Sequence, residues 1–359
     1  MNKKQIGLLV GLIGITAITG ACGNKEKAQG SVNASEKNES IVMVTDTNGV
    51  DDRSFNQSAW EGMTAWGKEN HLKKGVGGYD YIQSSNASEF TTNIDQALTG
   101  KFGTIFGVGF LIRDAIDTAA GANSSQQFAI IDSVIDGKKN VASATFKDHE
   151  VAYLAGVAAA YTTTTNKIGF IGGEEGPVLD RFEAGYTQGI KDTAKKLNKS
   201  ITIDVKYAAS FGDPAKGKAI AANMYQDNAD IIYAAAGGTG AGVFQEAKAQ
   251  NESNGDKKVW VIGADKDQQT DGKYKMKDGT EGNFTLTSSI KEVGEAIKDI
   301  ADQAKAGKFP GGKHLTYGLK DGGVSLVKGN MSEDAYKAVN EAKQNIIDEK
   351  INIKEKPSK

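Results

Sequence analysis

The residues best suited to chemistry in this chain are carboxylates and aromatics set at the ends of apolar runs. The densest group is Val44-Thr45-Asp46-Thr47-Asn48-Gly49-Val50-Asp51-Asp52-Arg53-Ser54-Phe55-Asn56-Gln57, which leaves a β-branched run and enters an amphipathic one. Open α/β sheets bind ligands there, beyond the carboxyl end of a strand. Asp52 or Ser54 can cap the helix that follows, and its first amides attract a polar or anionic group. Asp51 and Asp52 also fit ordinary turn and cap roles, and Asp46 suits a ligand role and a structural one equally. Phe55 falls on the apolar face of the helix, where core burial alone would account for it. Phe211 stands in Ser210-Phe211-Gly212-Asp213-Pro214, a loop in which a large aromatic has less structural purpose. Asp132 and Asp265 follow β-rich runs, where a carboxylate either points into a cleft or caps a helix. Lys291 taken alone reads as a solvated lysine at a helix start.

Other chemistries find little support. His71, His149 and His314 are widely separated and none has metal-ligand spacing such as HExxH. There is no GxSxG nucleophile elbow, and the adjacent Asp51 and Asp52 sit in a turn rather than as an acid–base pair. Ala234 to Gly242 is a glycine loop between strand and helix, with Asp265 at the end of the next strand, which superficially suits a dinucleotide enzyme. It lacks a clean GxGxxG opening at the first strand. A single cysteine excludes an internal disulfide, a cysteine zinc site and a CxxC pair. A formal charge of −2 removes the electrostatic footprint of a nucleic-acid binder, and 39% hydrophobic residues exclude a disordered chain. The expectation is a monomer that is not an enzyme, with no cofactor, no metal site and no nucleic-acid partner.

The elements that must position these residues alternate short β-branched runs with amphipathic segments, the pattern of parallel βαβ units. Strands are expected at Ile41 to Thr45, Tyr79 to Gln83, Thr104 to Val108 and Gln127 to Ile131, with helices at Ser54 to Asn70, Ser88 to Leu98 and Ile112 to Ala120. Phe55, Ala59, Met63 and Trp66 share one face of the first helix. Val141 to Phe146 reads as an edge or crossover strand. A second set follows: helix His149 to Tyr161, strand Lys167 to Ile171, helix Leu179 to Leu197, strand Ile201 to Tyr207, helix Pro214 to Gln226, strand Asp230 to Ala235, helix Ala241 to Gln250 and strand Lys258 to Ile262. A further strand at Asn283 to Ser289 and a helix at Lys291 to Ala306 exceed the needs of one sheet. The expected organisation is a signal segment over 1–21, a flexible tether over 22–40, a first lobe over 41–146 and a second over 147–284. Residues 285–320 return to the first lobe, and a strand and helix fill 321–359, in a lobe that periodicity leaves open.

At the amino terminus Lys3 and Lys4 precede an apolar stretch from Ile6 to Ile18, too short to span a bilayer comfortably and suited to a signal-peptide core. Its ending, Thr19-Gly20-Ala21-Cys22, resembles the lipobox of bacterial lipoproteins, with Thr19 where leucine is usual. The resemblance implies lipidation, such as palmitate, at Cys22 and a mature protein held on the extracytoplasmic face of the cell membrane. Residues 23–40 are polar and would act as a leash spanning roughly 23 Å.

The stretch from Val44 to Gln57 also resembles the opening motif of the basic membrane protein family, the purine-nucleoside-receptor-like lipoproteins that serve ABC importers, with Asn48 where glycine is commoner. Further segments match in family order: Phe128 to Asp132, Ser210 to Lys218, Ala236 to Gly240, Val261 to Gln268 and Gly318 to Val324. Ala209 stands where the family often has glycine. The resemblance implies an α/β, type I periplasmic-binding-protein fold, two doubly wound lobes with a hinge, closing on a nucleoside for delivery to an ABC permease. Carried over by position, Phe55 and Phe211 would sandwich the base, Asn56 and Asp132 would address its edge, and Asp46 would shape the floor. Asp265 and Lys291 would hold the ribose, with Gly238 allowing close backbone approach. A receptor for a sugar or another small solute on the same scaffold stays open, and an exported nucleoside hydrolase more remotely. A DNA-binding repressor is disfavoured by the export signal and by the lack of a basic helix-turn-helix ahead of Ile41, and an adhesin has no sequence signal.

Overall fold

The computed structural model describes residues 38–253, 257–276 and 278–357. The expected signal segment, Cys22 and most of the tether lie outside the described residues. The first lobe begins with β1 (Ile41–Val44), α1 (Phe55–Glu69), β2 (Tyr79–Ile82), α2 (Phe90–Thr99), β3 (Thr104–Val108), α3 (Arg113–Ala122), β4 (Gln127–Ile131) and β5 (Val141–Phe146). The chain then builds α4 (Asp148–Thr162), β6 (Lys167–Gly172), α5 (Pro177–Leu197), β7 (Thr202–Tyr207), α6 (Pro214–Gln226), β8 (Ile231–Ala235), α7 (Gly240–Ser253) and β9 (Trp260–Asp265). It continues through β10 (Lys273–Lys275), β11 (Glu281–Asn283), β12 (Thr285–Lys291), α8 (Val293–Lys305), β13 (His314–Tyr317), β14 (Val324–Leu326) and α9 (Glu333–Ile347).

The first sheet has the order β2-β1-β3-β4-β5-β13, all parallel. The second has the order β7-β6-β8-β9-β12-β14, parallel except for β14, with β10 and β11 as a separate hairpin. Strands such as Ile41–Val44 are buried at every position because helices cover both faces of a parallel sheet, which is why they read as continuous apolar runs. Along α1, Ala59, Met63 and Trp66 enter the core, whereas Phe55 at its first residue is only half-buried.

Three expectations need correction, and one element was not anticipated. Val141–Phe146 is an interior strand, because β13 pairs along its outer side. That edge strand alternates exposed and half-buried residues and follows a glycine- and lysine-rich stretch, so its apolar signal is weak. The segment beginning at residue 285 does not return at once to the first lobe, since β12 lies beside β9 in the second sheet. Lys291 therefore ends a strand instead of starting a helix. The hairpin β10–β11 is short, charged and glycine-containing, and gives no periodic signal.

The chain passes between lobes three times: from β5 to α4, from β12 to α8, and from β13 to β14. These crossings are tied side by side by Lys147 N donating to Tyr317 O (2.8 Å), Glu292 N to Gly323 O (3.0 Å) and Leu319 N to Glu150 Oε2 (2.8 Å). Helix α4 lies along α5 and α9 on the second lobe, and α8 crosses back to lie on α1. Backbones of α1 and α8 meet at two glycines, where a Cβ on Gly62 would stand 2.2 Å from Gly294 Cα. Replacing Gly62 by alanine should force these helices apart and cost about 1–3 kcal/mol. Thermal unfolding of Gly62→Ala is expected to show a fall of several degrees in Tm, and an unchanged Tm would contradict this account of the contact.

Candidate functional site

In each sheet the strand order reverses beside the first strand, between β1 and β3 and between β6 and β8, and the carboxyl ends of parallel strands at such switch points form crevices. The two crevices face one another across a cavity. Asp46, Phe55, Asn56, Phe110 and Asp132 line it from the first lobe, and Phe182, Phe211, Gly237, Asp265 and Lys291 from the second. Asp46, Phe55, Asn56, Asp132, Phe211, Asp265 and Lys291, widely spaced in sequence, thus meet at one place. Gly238 does not line the wall; its neighbour Gly237 does, in the left-handed region at φ +54°. Gly238 instead lies under the Phe211 loop, where an added Cβ would come 3.3 Å from Phe211 O.

The first-lobe wall is set by a carboxylate pair around Asn56. Asp52 caps α1, with Oδ1 accepting from Ser54 N (2.9 Å) and Gln57 N (3.0 Å) and Oδ2 from Asn56 N (2.9 Å). The Asn56 amide nitrogen donates to Asp46 Oδ1 (2.8 Å) and Asp52 Oδ2 (3.0 Å). That clamp orients the amide and leaves Asn56 Oδ1 buried with no protein donor. Ser54, a cap candidate in the sequence, donates its hydroxyl to Asp265 Oδ2 (2.5 Å) across the cleft instead.

Lys291, 2% exposed, reaches from the end of β12 to Asp132 Oδ2 (2.5 Å) and Asp148 Oδ1 (3.1 Å). Asp148 Oδ2 in turn accepts from Arg181 Nη2 (2.7 Å) and Nε (2.9 Å). Burial opposes the Lys291 charge, but Asp132, Asp148 and Asp265 more than offset it, and its pKa lies above the ordinary lysine value. The ammonium also sits 5.1 Å from the ring centres of Phe55 and Phe146 and 5.7 Å from Phe182. Asp132 Oδ1 remains buried without a hydrogen-bond partner. Asp132 and Asp265 both hold φ at +67°, a left-handed backbone that costs a non-glycine residue about 1–3 kcal/mol and is found where a side chain must be aimed. Burial pushes the Asp46 carboxyl up to about 7, against the hydrogen bonds from Asn56 and Asn48, and pushes Asp265 up to about 6, against Lys291. Carboxylates outnumber cations in this space, so it suits a solute that donates hydrogen bonds and carries no anionic group.

Four aromatic rings complete the walls. Phe211 lies against Gly173, where a Cβ would intrude to 2.2 Å of the ring, and meets Phe110 edge-on at 6.2 Å. Phe110 and Phe182 escape the sequence reading: the first follows a strand in Gly107-Val108-Gly109-Phe110, and the second hides in the apolar face of α5. The Gly109 turn, at φ +106° after a strand, is the signal that could have drawn attention to Phe110.

The lobes are closed on one another by bonds from the same residues. Asn48 N donates to Asp46 Oδ1 (2.9 Å), while its Nδ2 crosses to Phe211 O (2.8 Å). Nearer the mouth, Lys266 pairs with Glu61 (2.6 Å) and Arg53 with Asp271 (3.1 Å).

With this geometry in place, comparison with known proteins is decisive at the level of family. Residues 39–357 match the family described as ABC transporter substrate-binding protein, PnrA-like. The chain belongs to that family. It is 51% identical to a protein of Lactococcus lactis subsp. cremoris named ABC transporter nucleoside-binding protein BmpA, over the whole of both chains. A CD4+ T-cell-stimulating antigen of Listeria monocytogenes is 46% identical, over 99% of this chain and all of the other. Among solved structures, an ABC transporter solute-binding protein from Aeropyrum pernix K1 superposes with a TM-score of 0.76 at 25% identity, covering 89% of this chain and 94% of that one. A sugar-binding ABC transporter protein from Bacillus halodurans shares the fold, at a TM-score of 0.55 and 15% identity, over 81% of this chain and 97% of that one. The fold is the type I solute-binding fold. Two departures from the family pattern now have physical content: Ala209 holds φ at +51°, a backbone glycine adopts freely, and Asn48 supplies an interlobe bond that glycine could not.

Removing that bond in Asn48→Gly should raise the solute dissociation rate about fivefold with little change in association rate, by the worth of one hydrogen bond. Stopped-flow kinetics check this, and an unchanged dissociation rate contradicts it. The Asp46 carboxyl, near 7 when folded against 3.8 as an ordinary carboxyl, makes the folded chain take up a proton earlier than the unfolded one. Its buried charge therefore destabilises above about pH 7 and ceases to do so by about pH 4. Solute-free protein should gain Tm relative to Asp46→Asn as pH falls through that window, and a difference independent of pH would refute the assignment.

Proposed function

We propose that this protein is a receptor for nucleosides, purine nucleosides favoured, that hands its cargo to an ABC permease and performs no chemistry on it. The observation that carries the reading is the pair of buried, unpartnered acceptors, Asn56 Oδ1 and Asp132 Oδ1, in a cavity walled by Phe55, Phe211, Phe110 and Phe182. A nucleobase offers what those groups lack: N–H donors around a flat ring that aromatic side chains can cover. Phe55 and Phe211 hold the base from opposite lobes, Asn56 and Asp132 meet its edge, and Asp46 keeps Asn56 oriented. The ribose lies toward Asp265 and Lys291. A carboxylate accepts from both hydroxyls of a vicinal diol, and the ammonium, with three donors, gives one to Asp132 and is paired with Asp148 by charge at 3.1 Å, which leaves donors for the sugar. Excess carboxylate charge disfavours a phosphate, so nucleotides are rejected.

The mechanism is closure about the three crossings. A solute that touches both lobes stabilises the closed state by its differential contacts, and the permease reads that state. The mature chain works as a monomer on the extracytoplasmic face of the membrane, anchored by lipid at Cys22. Among the described residues no helix is long and apolar enough to cross a membrane.

Calorimetry of the protein against nucleosides, free bases, nucleotides and sugars tests the reading. Nucleosides should bind, nucleoside monophosphates and sugars should not, and Phe211→Ala should weaken binding by about 1–3 kcal/mol, the worth of stacking on one base. Binding of a sugar in place of nucleosides would assign the cavity to the other solute class.

A further inference from the structure

Every strand of the first sheet runs in one direction, so the segments feeding those strands all lie at the end opposite the cavity. They are 38–40, 70–78, 100–103, 123–126, 136–140 and 306–313. Hydrogen bonds sew them together: Asn38 Nδ2 to Lys101 O (2.5 Å), Gly103 N to Ser40 O (2.8 Å), Gln126 Nε2 to Phe102 O (3.0 Å) and Gly312 N to Val141 O (2.7 Å). Their exposed charges are basic apart from Asp136. Lys73, Lys74, Lys101, Lys139, Lys308 and Lys313 are all exposed. The acidic residues of the same segments are Glu39, which pairs with Lys305 at 3.3 Å, and Asp136. On a chain whose formal charge is −2, this end is a positive pole.

Two further observations concern the same pole. Val76 is 76% exposed, the one large hydrophobic side chain so placed among the described residues, and it stands at the tip of Lys73-Lys74-Gly75-Val76-Gly77-Gly78. Asn38, where the described chain begins, also lies here, 16 residues after Cys22 in the sequence.

We infer that this pole of the first lobe is a membrane-contact surface, whose lysines meet anionic phospholipid headgroups while Val76 enters the interface. The inference rests on the anchored, extracytoplasmic reading given above. Attraction between a basic patch and an anionic leaflet fades within about a Debye length, so the lysines act where the pole rests against the headgroups. Seated this way, the cavity end of the sheet points away from the headgroups, toward arriving solute. The competing explanation is that lysines at this end merely complement the carboxyl termini of α1, α2 and α3.

The test uses the lipid-free chain beginning at Gly23, so that it does not depend on lipidation, with palmitate labelling of Cys22 in cells as a separate check of the anchor. Sedimentation with phosphatidylcholine vesicles is compared with sedimentation with vesicles about one-third phosphatidylglycerol. The anionic vesicles should bind at least about tenfold more protein, and high salt should abolish the difference. Lys73→Glu/Lys74→Glu/Lys308→Glu should lose this preference while keeping nucleoside affinity, and Val76→Trp should show a blue-shifted emission only with anionic vesicles. Equal partition onto both vesicles, or a triple variant that lowers Tm yet still prefers anionic vesicles, overturns the inference. Capture by a soluble polyanion without vesicle binding overturns it as well, and reassigns the pole to that partner.

Discussion

A buried ammonium must be neutralised wherever it lies, and in this protein the counter-charges of Lys291 come from both sides of a cleft. Asp132 belongs to the first lobe, and Asp148 opens the helix that begins the second. Arg181 holds Asp148 in turn, so four charges alternate through a region nearly closed to water. Removing one member of such a chain leaves an uncompensated buried charge, at about 3–5 kcal/mol, so each partner constrains the others. Lys291 and Asp148 also stand beside two of the three chain crossings. The charge chain therefore joins the cavity to the crossings between the lobes.

Around that chain the cavity is built by direction rather than by bulk. Parallel strands deliver Asp46, Asp132, Asp265 and Lys291 to one level, and left-handed backbone at Asp132 and Asp265 turns two carboxylates inward. Asp46 and Asp52 each spend an oxygen on the Asn56 amide nitrogen, which fixes the one atom of Asn56 that remains unpaired. Backbone strain and desolvation are both tolerated here, and a neutral solute rich in donors would offset the desolvation.

Closure uses the same groups. Ser54 meets Asp265, Asn48 meets the backbone of Phe211, and Lys291 meets Asp132, each across the lobes. Solute and lobe–lobe contacts thus act on one equilibrium, and Asn48, itself on the cavity wall, adds a bond to the closed state.

Much of this was legible in the residues alone. Apolar runs and helical spacing marked nearly every strand and helix, and the stretch from Asp46 to Gln57, with Phe211 and Asp265, carried the family. Composition also indicated an address at the amino terminus and made a nucleic-acid partner improbable. The misplaced features share a cause. Val141–Phe146 reads as an edge or crossover strand until β13 pairs with it, Lys291 reads as a solvated helix start until β12 joins the second sheet, and Phe182 goes unremarked until α5 is seen to bring it to the cavity. Each depends on a neighbour distant in the chain. Local pattern determined the elements and the family, because propensity and periodicity act over a few residues. Only the tertiary structure decided which lysine is buried, which oxygens lack partners and how strand ends 159 residues apart share one charge, because burial and Coulomb attraction are set by proximity in space.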